Sequence, residues 1–119
     1  MPTMTSDFFY SARYQTQVVT LNAYDTPIPK GTIIAVRSTP DGTFDALGVG
    51  EGTEGAYSVP YGVLLKDAPG VGITQAVEVV VIGELFKDYV NGVYKAAHSG
   101  TDLTAAQIAA LRNIGIILK

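Results

Sequence analysis

Residues 74–82, Thr-Gln-Ala-Val-Glu-Val-Val-Val-Ile, constrain this chain more than any other stretch. Branched side chains are stiff and pack well on a pleated surface. Alternation puts Gln75, Val77, Val79 and Val81 on one face, against Ala76, Glu78, Val80 and Ile82 on the other. Both faces are largely apolar, the pattern of a central strand covered on both sides. Such a strand needs neighbours along its edges and a layer over each face. The rest of the chain agrees: Val, Ile and Thr supply 34 of 119 residues, and 13 Gly and six Pro punctuate them.

Strands and turns follow along the chain. Gln17–Leu21 reads as a first short strand. The cluster Asp25-Thr26-Pro27-Ile28-Pro29-Lys30-Gly31 is a turn whose prolines bar a helix. Thr32–Arg37 reads as a strand, ended by Thr39-Pro40-Asp41-Gly42, with Thr43-Phe44 starting a return. Between Leu47 and Tyr57 four glycines fall in eight residues, Gly48 to Gly55, which predicts a long exposed loop. Tyr61–Lys66 and Thr74–Ile82 are further strands, Gly83 marks a bulge, and Glu84–Val90 reads as another strand turning at Asn91-Gly92 into Val93-Tyr94-Lys95.

One helix is predicted, near residue 105. Thr104 and Gln107 have capping-box spacing, Leu103 and Ile108 stand at staple positions, and alanines fill the interior. Gly115 supplies the stop. Residues 1–16 read as an N-terminal arm, and residues 17–119 as one domain without linker or repeat. The arm has no sustained period, yet holds Phe8, Phe9, Tyr10 and Tyr14, more aromatics than a disordered tail carries. These rings are expected to find an apolar surface, either on their own domain or on a partner.

The inventory of reactive groups is thin. There is no Cys and one His, which excludes disulfides, thiolate metal sites and cysteine nucleophiles. With 16% charged residues, a formal charge of −3 and no basic run, nucleic acid is not an expected partner. No apolar stretch approaches the roughly 20 residues of a membrane helix, and the first residues lack the pattern of a secretory signal. The glycine loop carries Glu51 and Glu54 and lacks a following Lys-Ser or Lys-Thr, so phosphate binding is not expected. His98 lies beside Ser99, but no nucleophile-elbow pattern surrounds Ser58, and a triad with Asp67 has no local support. His98 is expected at the surface or in a subunit contact. No acidic spacing suits calcium. The reading is a non-enzymatic module without cofactor or metal, working through its surfaces.

Three pieces in order carry a resemblance: Tyr61-Gly62-Val63-Leu64-Leu65-Lys66-Asp67, then Val81-Ile82-Gly83-Glu84-Leu85-Phe86, then Thr104-Ala105-Ala106-Gln107-Ile108-Ala109-Ala110-Leu111-Arg112-Asn113-Ile114-Gly115-Ile116-Ile117. The combination closely resembles tailed-bacteriophage head decoration proteins of the lambda type over residues 30–119. Lys66 stands where that family often has an acid, Ile82 where it usually has Arg, and the Gly48–Gly55 loop is longer. The resemblance implies a β-rich α+β fold: a small barrel-like, β-tulip-type sheet with one C-terminal helix and an extended N-terminal arm. It implies a homotrimer on the outer surface of the expanded virion capsid, made in the host cytoplasm and holding the shell against internal DNA pressure. The partner it implies is the major capsid protein, reached by an arm that adds a strand to capsid sheet edges. Phe8, Phe9, Tyr10, Tyr14 and Val18 are the capsid-contact residues expected on that basis. The alternative is a small β-domain binding carbohydrate or a receptor, possibly displayed on a virion, through a patch of Tyr57, Tyr61, Tyr89 and Tyr94.

Overall fold

The computed structural model describes residues 8–39, 41–50 and 56–119, and the side chains of all of these but Ala12. The Val-rich segment is its central strand, β5 (Gln75–Leu85). Along one edge runs β1 (Phe9–Leu21), antiparallel, from Leu21 opposite Gln75 to Phe9 opposite Leu85. The other edge is shared by two partners. β4 (Val59–Leu64) pairs antiparallel at Val63–Val80 and Leu64–Val79, while β6 (Ile116–Leu118) pairs in parallel at Gly83–Ile116 through Leu85–Leu118. Outside β4 lie β2 (Ile33–Val36) and then β3 (Asp45–Ala46), giving the order β1-β5-β4-β2-β3. The sheet is open. Its two ends meet at a single bridge, Leu21 to Phe44, where the Asn22 N–H donates to Phe44 O at 3.0 Å.

Both faces of β5 are covered, as its pattern predicts. On one, Val63, Val80 and Leu85 pack with Val90, Leu103, Leu111, Ile116 and Leu118 beneath two helices, α1 (Lys87–Ala97) and α2 (Ala105–Asn113). On the other, Val19, Leu21, Ile34, Leu64, Val77 and Val79 pack under Ile28 and Ala68, whose backbones exchange two hydrogen bonds at 2.8 and 2.9 Å. The pairing of β5 with β1 shifts register on either side of Gly83, between its partners Leu85 and Gly83 and again between Ile82 and Val80. The extra residue at Val81 explains why Val80 and Leu85, an odd number apart, share one core, and why Ile82 is left exposed.

α2 carries the predicted cap. Thr104 Oγ1 accepts from the Gln107 N–H, Gln107 Oε1 accepts from the Thr104 N–H, and Leu103 and Ile108 join the core together. Gly115, at φ +103°, ends it in the left-handed region.

Two expectations change. Residues 87–97 form a helix where a strand and hairpin were expected, so the described residues hold two helices rather than one. Tyr89, Val90 and Tyr94 lie on the core-facing side of α1, and that burial overrides the weak helix propensity of Val, Asn and Gly. Asn91 is not a turn residue: its Oδ1 accepts from the Leu103 N–H at 2.8 Å and its Nδ2 donates to Asp102 at 3.0 Å, tying α1 to the approach of α2. Second, residues 9–16 are not a separate arm but the first half of β1. Residues 1–7, Pro40 and Gly52–Gly55 with Glu51 lie outside the described residues, and with them most of the predicted glycine loop. The whole is a small, compact, β-rich single domain.

Candidate functional site

β1 is an edge strand of 13 residues. Among the described residues its outer edge has no strand partner beyond the bridge at Leu21. An edge of this length presents a row of backbone donors and acceptors to any extended segment that meets it. Natural edges are usually blunted by charges, and β1 carries one, Arg13. Its exposed apolar groups are Tyr10 at 52%, Tyr14 at 43% and Val18 at 64%.

The five predicted contact residues therefore divide. Phe8 is 1% exposed, edge-on to Phe9 at 4.8 Å and to Tyr89 at 5.3 Å, with Lys30 Nζ 5.4 Å from its ring. It belongs to the chain's own core and has no surface to offer a partner. Phe9 is half-buried against the helix-side core and stacks on Tyr14 at 4.1 Å, which leaves the Tyr14 ring partly exposed. Tyr10 stands edge-on to Phe86 at 5.4 Å with Lys119 Nζ above its ring. Tyr10, Tyr14 and Val18 are the exposed apolar side chains along β1, with a register break between Tyr10 and Tyr14 and another between Tyr14 and Val18. The exposure of Val18 carries no signal in the local sequence: Val18 and Val19 are identical residues, and only the pairing to β5 decides that Val19 turns inward.

The tyrosines of the alternative patch do not share a face. Tyr57, Tyr89 and Tyr94 pack with the helix-side core, whereas Tyr61 packs with the opposite one. His98 caps α1, stacks on Tyr94 at 3.9 Å and meets Tyr94 O through Nδ1 at 2.9 Å, so a neutral ring carries its proton on Nδ1. Asp67 accepts from the Lys30 N–H at 2.7 Å, and no hydrogen bond among the described residues joins Ser58, His98 and Asp67. A shallow cavity of about 440 Å³ lies between the Pro27–Pro29 turn, Leu47–Val49 and the end of α1, with an apolar lining. Among the described residues no group of three or more His, Asp or Glu could hold a metal, and no helix is long and apolar enough to cross a membrane. Compared with known proteins, the chain matches no family model and no curated sequence.

Proposed function

We propose that this chain is a capsid decoration protein of the tailed-phage type, bound as trimers to the outside of an expanded head and docking there through β1. The observation that carries the reading is the edge of β1, which no strand among the described residues covers, with Tyr10, Tyr14 and Val18 exposed along it and one charge in its length. A capsid segment added to this edge gains main-chain hydrogen bonds, and the three apolar side chains select what lies beside it. The contact set is narrower than the sequence resemblance implied: Phe8 holds the start of β1 in place, and Tyr10, Tyr14 and Val18 do the docking. Three copies around one axis multiply weak individual contacts through effective concentration. The barrel-like, β-tulip form belongs to the same proposal, and the Leu21–Phe44 bridge between the sheet ends supports it.

The test is co-sedimentation with expanded heads that lack the protein, with unexpanded heads as control. The wild-type chain binds expanded heads saturably, in multiples of three copies per site. Val18→Lys and Tyr14→Ser, checked for unchanged circular dichroism, bind at least tenfold more weakly. Absence of wild-type binding to the cognate shell sinks the function. Wild-type affinity in both variants removes β1 from it.

A further inference from the structure

A polar seam joins the two ends of the open sheet. Asp45 opens β3 and is 7% exposed. Donors meet both of its oxygens: the Tyr24 hydroxyl and the Ala46 N–H (2.8 Å) at Oδ1, and Asn22 Nδ2 (3.1 Å) at Oδ2. Asn22 and Tyr24 follow directly on β1, so these bonds run from one end of the sheet to the other, where the strands themselves contribute one bridge.

The seam continues outward in a fixed direction. Thr43 Oγ1 donates to Asp41 Oδ1 at 2.5 Å, so the Tyr57 hydroxyl donates to Thr43 (2.7 Å) and accepts from Asn22 Nδ2 (2.9 Å). Arg37, the one guanidinium in the seam, bonds Asp41 Oδ2 at 2.6 Å and lies over the Tyr57 ring at 4.9 Å. From β2, the register partner of Asp45 is the uncharged Ala35. From α1, His98 faces Gly48 and Tyr94 O rather than Asp45. Among the described residues no ion pair reaches Asp45, which leaves a buried carboxylate among neutral donors. A buried charge without a counter-ion costs more than the neutral acid in the same place. Burial accordingly pushes the Asp45 carboxyl above the ordinary carboxylate range, over the opposing pull of the Ala46 N–H and Asn22.

We propose that Asp45 is a pH-responsive clasp on the two ends of the sheet, gripping more tightly as the neutral acid than as the carboxylate. A proton on Oδ1 is donated to the Tyr24 hydroxyl, which already accepts from the Ala46 N–H at 3.2 Å and has one lone pair left, while Oδ1 still accepts from Ala46 and Oδ2 from Asn22. The Asp45–Tyr24 contact is kept with its direction reversed, and the Tyr24 proton turns away from Asp45. The sign is the reverse of an ion-paired Asp: the group's contribution is fully present below its unfolded pKa of about 3.9 and is lost as pH rises through its folded value. Each unit between those two values changes the closed-to-open ratio about tenfold. The inference is independent of capsid binding.

The experiment follows the Asp45 carboxyl carbon by NMR in the full chain from pH 3 to 8, alongside hydrogen exchange of the Asn22 amide, which bonds Phe44 O across the seam. Asp45 titrates above the ordinary Asp value, and Asn22 protection, corrected for intrinsic rate, falls through the same midpoint. Titration at or below the ordinary value overturns the clasp, as does protection that holds or rises through the midpoint. Asp45→Asn, fixed in the neutral state, removes the pH dependence of Asn22 protection, at a lower level throughout because its amide nitrogen cannot accept from Ala46 or Asn22. A pH response that persists in a folded Asp45→Asn assigns it to another group and also overturns the proposal.

Discussion

Phe8→Ala separates a core residue from a contact residue more sharply than any other single change. The ring is 1% exposed, makes edge contacts with Phe9 and Tyr89, and lies under the Lys30 ammonium. Truncating a buried Phe to Ala costs about 3–5 kcal/mol, combining lost transfer energy with an unfilled cavity. Phe8 enters the core at the very start of β1, where backbone can settle into the gap, so the lower end, about 3 kcal/mol, applies. At roughly 2.1 cal/mol/K per residue, a chain of 119 residues unfolds with an entropy of about 0.25 kcal/mol/K, and the midpoint drops about 12 °C. Urea unfolding followed by far-UV circular dichroism reads the same loss as a lower midpoint at unchanged slope. Phe8→Leu, which keeps most of the volume, loses under about 1.5 kcal/mol. Val18→Lys, at an exposed position, stays within about 0.5 kcal/mol of wild type. If Phe8→Ala also stays within about 0.5 kcal/mol, Phe8 is not a core residue and the division of the aromatic cluster fails.

Two further changes probe the end of α1. Ser99 sits at φ +56° directly after the helix cap His98, and the Gly100 N–H returns to Lys95 O at 2.8 Å, a helix stop in which glycine normally takes the left-handed place. Ser99→Gly raises stability by about 1 kcal/mol and the thermal midpoint by about 4 °C, and an unchanged midpoint refutes the strain. At Gly48, φ is +95° and a Cβ would stand 2.8 Å from His98 Nε2. Gly48→Ala therefore loses about 1–3 kcal/mol in chemical denaturation. Adding His98→Ala recovers the steric part only, and strict additivity of the pair argues against the clash.

The sequence held more of the middle and end of the fold than of its beginning. β5 and α2 were legible because each announces itself locally, one by unbroken branched residues and the other by Thr104, Gln107 and Gly115 around alanines. α1 was misread because Val90, Asn91, Gly92 and Val93 favour a hairpin when taken by themselves. Its helix is decided by tertiary contacts, Val90 against the core and Asn91 against Leu103. Its first residue has no side-chain cap at Phe86 to give it away. The start of β1 was hidden for another reason. The register break between Phe9 and Tyr14 destroys the period of two that marks a strand, so those residues looked irregular while pairing with β5. Of the candidate contact residues, the exposed Tyr10, Tyr14 and Val18 could be picked out as apolar but not as outward-facing. That difference belongs to the pairing partner, 60 and more residues away.

The divided edge of β5 has a consequence for how the chain is made. Synthesis delivers β1, β4 and β5 in order, and their antiparallel pairing can begin as soon as β5 emerges. Gly83, Glu84 and Leu85 then still face nothing along one side, because their neighbour, Ile116–Leu118, is produced only after both helices. The Leu85 carbonyl waits for the Lys119 N–H and the Lys87 N–H for the Lys119 carbonyl, so the last parallel rung also fixes the first turn of α1. A nascent chain halted before residue 116 exposes a sticky apolar half-edge and an unanchored helix, a species that chaperones would hold and proteases would cut. The rung that completes the edge of β5 is thus a strand of three residues, and it anchors the start of α1 as well as the sheet.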